Sequence, residues 1–170
     1  MPATKYSASK LSLLVEGTTD VKTIQQFLRW VKKDHEILLP PLDGSQLINE
    51  KAAPHLLEVK RISDRVMAII DSEKDSSAAP LSEDRAGFFK ACQETGIKCH
   101  VLERRAIENY LTDKAVKRIK SEKYRALGQF EKLDDVALSW SKSENWRIAR
   151  EMSLTDLEGT DLGKFISELP

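Results

Sequence analysis

Carboxylates recur in this chain at positions suited to chemistry. Glu16 closes the apolar run Leu11-Ser12-Leu13-Leu14-Val15 and is followed by Gly17-Thr18-Thr19-Asp20. Asp71 closes Val66-Met67-Ala68-Ile69-Ile70 and leads into Ser72-Glu73-Lys74-Asp75, while Glu108 follows Glu103 in a third segment. An acid at the end of a buried run contributes little to stability and is well placed to meet a ligand. Hard cations such as Mg²⁺ take oxygen ligands and keep several waters, so a few carboxylates at one edge suit them. Two such ions about 4 Å apart can activate water and stabilise the leaving oxygen of a phosphodiester. Asp20 falls one helical turn beyond Glu16, which lets both face one crevice. Asp71 and Glu73 alternate along a segment read as extended, which lets both point one way. Each acid alone has a plainer explanation. Glu16-Gly17 reads as a turn, Asp20 as a complement to a helix dipole, Asp71-Ser72-Glu73 as a solvated loop, and Glu108 as a first-turn helix acid.

The elements that must position these acids follow from hydrophobic period and punctuation. Leu11–Glu16 is a short apolar run stopped by Gly17, the pattern of a buried strand. Thr18 or Thr19 can cap a helix, whose core stripe is Val21, Ile24, Phe27, Leu28 and Val31, out to Trp30 or Lys32. A short strand is expected within Glu36–Leu42. A helix is expected from Pro54 to Ile62, with Leu56, Leu57 and Val59 available to the core and Pro54 in its first turn. Val66–Ile70 is the clearest strand. A polar loop follows, then a helix over Leu81–Glu94 closed by Gly96 in a left-handed conformation, then a strand over Ile97–Leu102. This alternation predicts parallel βαβ units, whose ligands bind beyond the carboxyl ends of the strands. Glu16 and Asp71 both fall there.

Beyond residue 111 the chain turns helical and basic. Ala115, Val116, Ile119 and Leu127 are candidate inward positions, and Trp140, Trp146, Ala149 and Met152 follow at helical spacing. Leu162, Phe165, Ile166 and Leu169 predict a last amphipathic helix capped by Thr160 or Asp161. No linker or repeat separates these parts. The expected fold is α/β, a parallel sheet flanked by helices over 11–111, with a helical C-terminal extension over 112–170 packed on it.

At 170 residues, with 41% hydrophobic and 32% charged, the chain suits one domain with a real core. Lys plus Arg and Asp plus Glu are equal at 27 each, which excludes a surface basic all over and leaves room for a local basic face. Cys92 and Cys99 form no CxxC and read as reduced core thiols. No apolar leader or membrane-length run occurs, so a cytoplasmic protein without membrane contact is expected. Residues 1–10 are polar and expected to fray. Gly159–Lys164 lacks the spacing of a phosphate-binding loop and has Phe165 after the lysine.

Together the motifs carry a resemblance. A strand ending in Glu16-Gly17, then Ile69-Ile70-Asp71-Ser72-Glu73 after a later strand, resembles the glutamate and DxD-like pair of Toprim (topoisomerase–primase) domains. Val15-Glu16-Gly17-Thr18-Thr19-Asp20 resembles the VEGxxD form of the overcoming-lysogenization-defect (OLD) nucleases. Leu102-Glu103-Arg104-Arg105-Ala106-Ile107-Glu108-Asn109-Tyr110-Leu111 is similar to a segment of Toprim domains attached to, or encoded beside, ABC-type ATPases. The resemblance covers residues 11–111 well and the tail weakly, through Asn145–Ala149 and Gly159–Leu162. It implies a Toprim, Rossmann-like fold and a nuclease using Mg²⁺ or Mn²⁺, two ions, on DNA before RNA, in phage defence or DNA repair. It further implies Glu16 as ligand or general acid/base, Asp20, Asp71 and Glu73 as metal ligands, and Glu108 as a further ligand. Asp71 would share the catalytic role, and Lys142 would match the late catalytic lysine of OLD-like enzymes, although a solvated lysine explains it equally well. Glu73 departs from the aspartate usual in DxD, which puts metal spacing in question; Asp75 could compensate.

Arg104 and Arg105 could neutralise a scissile phosphate or pair with Glu103 and Glu108. Lys117 and Lys120, in the basic run Lys114–Arg125, could contact phosphates or form a solvated helix face. No ATPase motif is present, so the alternative is a Toprim effector or binding module, inactive alone and controlled by a separate ABC- or SMC-type ATPase. A primase-like or topoisomerase-like unit is a third reading; Tyr110 and Tyr124 show no nucleophile context. His35, His55 and His100 are scattered and take no ligand role.

Overall fold

A computed structural model describes residues 10–170, so the expected frayed start lies outside the described residues except for Lys10. Leu11–Leu14 forms β1, every residue of it buried. α1 (Thr18–Trp30) follows, then β2 (Ile37–Leu38), α2 (Ala53–Ile62), β3 (Val66–Ile70), α3 (Glu83–Glu94) and β4 (Lys98–Val101). The four strands make one parallel sheet in the order β2-β1-β3-β4. The α/β alternation read from the periodicity is therefore the observed architecture.

The strand order decides where a ligand can go. From β1 the chain moves outward to β2, then returns past β1 to β3 and on to β4. The order reverses between β1 and β3, and at such a switch point the crossovers diverge and leave a crevice. The pair is in register with Leu14 opposite Ala68. Two residues beyond Leu14 and three beyond Ala68, Glu16 and Asp71 emerge together at the mouth of that crevice.

The central strands β1 and β3 are covered on both faces, as is usual in parallel sheets, while the edge strands β2 and β4 are partly exposed. Leu11, Leu13 and Val15 point to one face, where they meet Ile24, Phe27 and Leu28 of α1. Leu14, Ala68 and Ile70 point to the other, against Leu56 of α2 and Phe88, Ala91 and Cys92 of α3. The C-terminal part adds α4 (Asp113–Ile119), α5 (Asn145–Arg150) and α6 (Asp161–Glu168). It packs on the α1 face: Ile148, Ala149, Leu162, Phe165 and Ile166 belong to the same apolar cluster as β1 and α1. Among the described residues no helix is long and apolar enough to cross a membrane.

Four local expectations are corrected. Gly17, not Thr18 or Thr19, is the N-cap of α1, and the Asp20 carboxylate accepts the Gly17 N–H at 3.0 Å. Leu57 is 56% exposed, because one residue beyond the inward Leu56 is about 100° round the helix. Trp146 is only half-buried, and Asn145, Ile148 and Ala149 supply the inward face of α5. The segment after Asp71 is not extended: Glu73 has φ +54°, the left-handed region a glutamate seldom adopts. Gly96 does adopt the left-handed cap, at φ +73°, and Thr160 does cap α6, accepting the Gly163 N–H at 3.0 Å. Cys92 and Cys99 are free thiols.

Candidate functional site

Glu16 and Asp71 are joined at the crevice mouth, the Asp71 N–H donating to Glu16 Oε1 at 2.8 Å. Asp20 reaches the same place from the first turn of α1. These three acids line a small void of about 10 Å³ whose remaining walls are apolar: Val15, Ile24, Ile69, Ile70, Leu102 and Ile107. That is room for about one water molecule or one small ion. Asp71 accepts the Ile107 N–H on Oδ1 at 3.1 Å, leaving Oδ2 as its second acceptor.

Glu108 arrives from a 3-10 turn, Ile107–Tyr110, that follows β4. It is an acid in a first turn, as its plainer reading had it, but it is buried, at 5% exposure. Asn109 holds the turn: its side chain accepts the Ala106 N–H at 3.0 Å and donates to the carbonyls of Gly128 and Glu131. On the far side, Asn145 donates to Glu108 Oε2 at 3.5 Å and accepts the Trp140 indole N–H at 2.8 Å. Lys142 Nζ lies 3.3 Å from Glu108 Oε1.

The electrostatics follow from this crowding. Burial, then repulsion from Glu16, pushes the Asp20 carboxyl up to about 6. Burial, followed by Glu16, Asp20 and Glu108, pushes Asp71 well above the usual carboxylate range. Desolvation is the largest influence on Lys142 and works to lower its pKa, but the attraction of Glu108 and Asp71 outweighs it and holds the ammonium above its ordinary value. Four acids and Lys142 thus act on one another electrostatically.

Arg85, on α3, belongs to this cluster although no motif marks it. Its guanidinium grips both Glu16 oxygens, Nη1 to Oε1 and Nη2 to Oε2 at 3.3 Å, and donates to the Asp71 carbonyl at 2.6 Å. The side chain is only 8% exposed. A signal for it existed: Arg85, Phe88 and Cys92 recur at helical spacing, which places a charged residue on the buried stripe of α3.

Glu73 does not join the void. Its left-handed backbone turns it towards Arg105, which donates to Glu73 Oε2 at 2.6 Å, to the carbonyls of Glu73 and Lys74, and to Asp75 Oδ1 at 2.8 Å. Arg105 therefore pairs with Glu73 and Asp75, not with Glu103 or Glu108. Arg104 stacks over the Tyr110 ring at 4.8 Å and donates to the Asn109 carbonyl. Lys117 pairs with Asp113 at 2.7 Å and Lys120 with Glu144 at 2.8 Å. Of these four basic residues, only Arg105 lines the cleft that opens beside Glu108.

The donor set is all oxygen, the chemistry that Mg²⁺ and Mn²⁺ take, but the void between Glu16, Asp20 and Asp71 has room for about one bare ion and not for the waters such an ion keeps. Among the described residues no three His, Cys, Asp or Glu side chains are disposed as a ready ligand set. No family model, curated protein or solved structure matches the chain.

Proposed function

We propose that this chain is a Mg²⁺- or Mn²⁺-dependent nuclease of the Toprim, OLD-like type, hydrolysing phosphodiester bonds in nucleic acid. The supporting observation is the convergence of Glu16, Asp20, Asp71 and Glu108 at the switch point of a parallel sheet, two of them with raised pKa. Such excess negative charge is costly unless a cation joins it. Glu16, Asp20 and Asp71 would hold one ion, with Glu108 and Glu73 on the cleft side for a second. The chemistry such ions supply is Lewis-acid polarisation of the scissile phosphate and activation of water. The chain's own residues do the positioning. Arg85 and the Asp71 N–H fix the Glu16 carboxylate, the Ile107 N–H fixes Asp71, and Asn145 orients Glu108. Lys142 keeps a positive charge at the cleft, where it faces the phosphate.

The test is cleavage of labelled DNA and RNA in Mg²⁺ or Mn²⁺. Glu16→Ala and Asp71→Ala should each lower the rate by at least about 100-fold. Undiminished cutting by either variant, or in excess chelator, removes this site from the reaction.

One observation favours the alternative, an effector module inactive alone and controlled by an ABC-type ATPase. Arg85 already sits on Glu16 and Lys142 on Glu108, so the two acids are compensated by side chains and a partner would have to draw these away. Under that reading the isolated chain takes up no Mn²⁺ in a calorimetric titration and cuts only once the ATPase is added. Cleavage by the isolated chain rules it out.

A further inference from the structure

The cleft beside the carboxylates encloses about 420 Å³ and is lined by Glu73, Arg105, Glu108, Lys132, Trp140 and Lys142 among others. Its cations are not equivalent. Arg105 is committed to Glu73, Asp75 and two carbonyls, and is 12% exposed. Lys132 and Lys142 are half-exposed; Lys132 pairs with Asp75 at 3.7 Å, and Lys142 with Glu108 at 3.3 Å, with Asp71 and Glu73 also attracting it. Two ammonium groups with this freedom can turn onto an anion that enters between them. The floor offers nothing to a base stack, since Trp140 is buried and its indole N–H is spent on Asn145.

Elsewhere most of the basic segment is paired with acids of the chain, while Lys114 and Lys123 are exposed without an ion pair among the described residues. Lys117 pairs with Asp113, Arg118 with Glu151 at 2.9 Å, Lys120 with Glu144, and Arg125 with Glu131 at 2.7 Å. A protein making about 6–10 phosphate contacts on a duplex needs a row of cations, and Lys114 and Lys123 alone do not form one. The cleft volume matches a site for one small ligand. Its Glu108 floor is buried, so a phosphate can reach it only on a strand able to bend inwards.

We propose that the cleft takes a single strand of nucleic acid, one nucleotide at a time, with a phosphate held between Lys132 and Lys142, and that duplex is not its ligand. This deepens the nuclease reading and rests on it for the fate of that phosphate, but not for binding.

Fluorescence anisotropy in Mg²⁺ on the full chain carrying Asp71→Asn tests it, with labelled single-stranded DNA, single-stranded RNA and the matching duplex. Single strands should bind at least about 10-fold tighter than duplex. Between about 50 and 200 mM salt the log–log slope should be about −0.7, one phosphate neutralised on a single strand. Lys132→Ala should weaken single-strand binding and flatten the slope towards zero, and Lys132→Arg should restore both. Duplex bound as tightly as single strand, or a slope unmoved by Lys132→Ala, overturns the proposal. Single-strand binding without any metal-dependent cutting by the unaltered chain upholds it and overturns the nuclease reading. Cutting by the unaltered chain with a duplex preference does the reverse.

Discussion

At the scale of single residues, Glu16 and Asp71 are both acids at strand ends, yet they have opposite relations to stability. Glu16 lies in a salt bridge with Arg85, both side chains nearly buried. Removing one partner of such a pair leaves the other charge stranded, a cost of about 3–5 kcal/mol. Asp71 has no direct cation of its own and is repelled by its neighbours. Asp71→Asn keeps an oxygen for the Ile107 N–H while deleting the buried charge. Glu16→Ala should therefore destabilise the metal-free chain by roughly 3 kcal/mol, and Asp71→Asn should stabilise it by roughly 1–2 kcal/mol. Urea unfolding in chelator measures both; equal losses for the two variants would show that Asp71 is an ordinary structural acid.

Among the elements, α6 is held by an approach that only glycine permits. A Cβ at Gly163 would stand 2.2 Å from the Leu157 carbonyl oxygen, so backbone would have to move. Alanine is the better helix former by about 1 kcal/mol, but overpacking against fixed backbone costs more. Gly163→Ala should lower stability by about 2–3 kcal/mol, and a thermal melt that rises instead would show that α6 can shift freely. The same helix is tied to the site's framework through Asp161, which accepts from the Tyr110 hydroxyl at 2.6 Å and the Glu103 N–H at 3.0 Å and lies 2.9 Å from His100 Nε2. Gly163, singled out in the sequence only as part of a failed phosphate-loop match, thus has a packing reason for being there.

For the whole molecule, pH joins the site to stability. In the metal-free chain Asp20 titrates near 6 and Asp71 higher than usual, so between about pH 4 and 6 the native state binds more protons than the unfolded one. Stability from these two acids is complete below about pH 4; the Asp20 share is lost as pH rises through about 6, and the Asp71 share as pH passes that group's own raised value. Asp161 and the exposed Glu131 are shifted downwards, Glu131 to about 2. Their contribution is gained above about pH 4 and lost in acid, and the exposed share of it is small. A metal-free melting temperature should therefore peak near about pH 5 and decline towards 7, while the gain on adding Mg²⁺ should grow over the same interval. A flat profile from pH 5 to 7, with no Mg²⁺ effect, would show that the four acids are not coupled as described.

Much of this arrangement is legible in the sequence because it is local. A short apolar run ended by Glu16-Gly17 or by Asp71 specifies a strand and its end, and period 3.6 in α1 specifies its buried stripe, whatever surrounds them. Parallel topology follows from alternation, and with it the meeting of Glu16 and Asp71 at carboxyl ends. The partners of those acids are not local. Arg85 lies 69 residues from Glu16 and touches it only because α3 packs over the end of β3. Glu73 leaves the void because Arg105, 32 residues away, draws it into a left-handed turn. Lys132 and Lys142 frame one cleft only after the C-terminal part folds back along α1. The chain itself determined that acids would gather at one sheet edge; tertiary packing decided which cations answer them, since charge pairing depends on distance in space and is blind to separation along the chain.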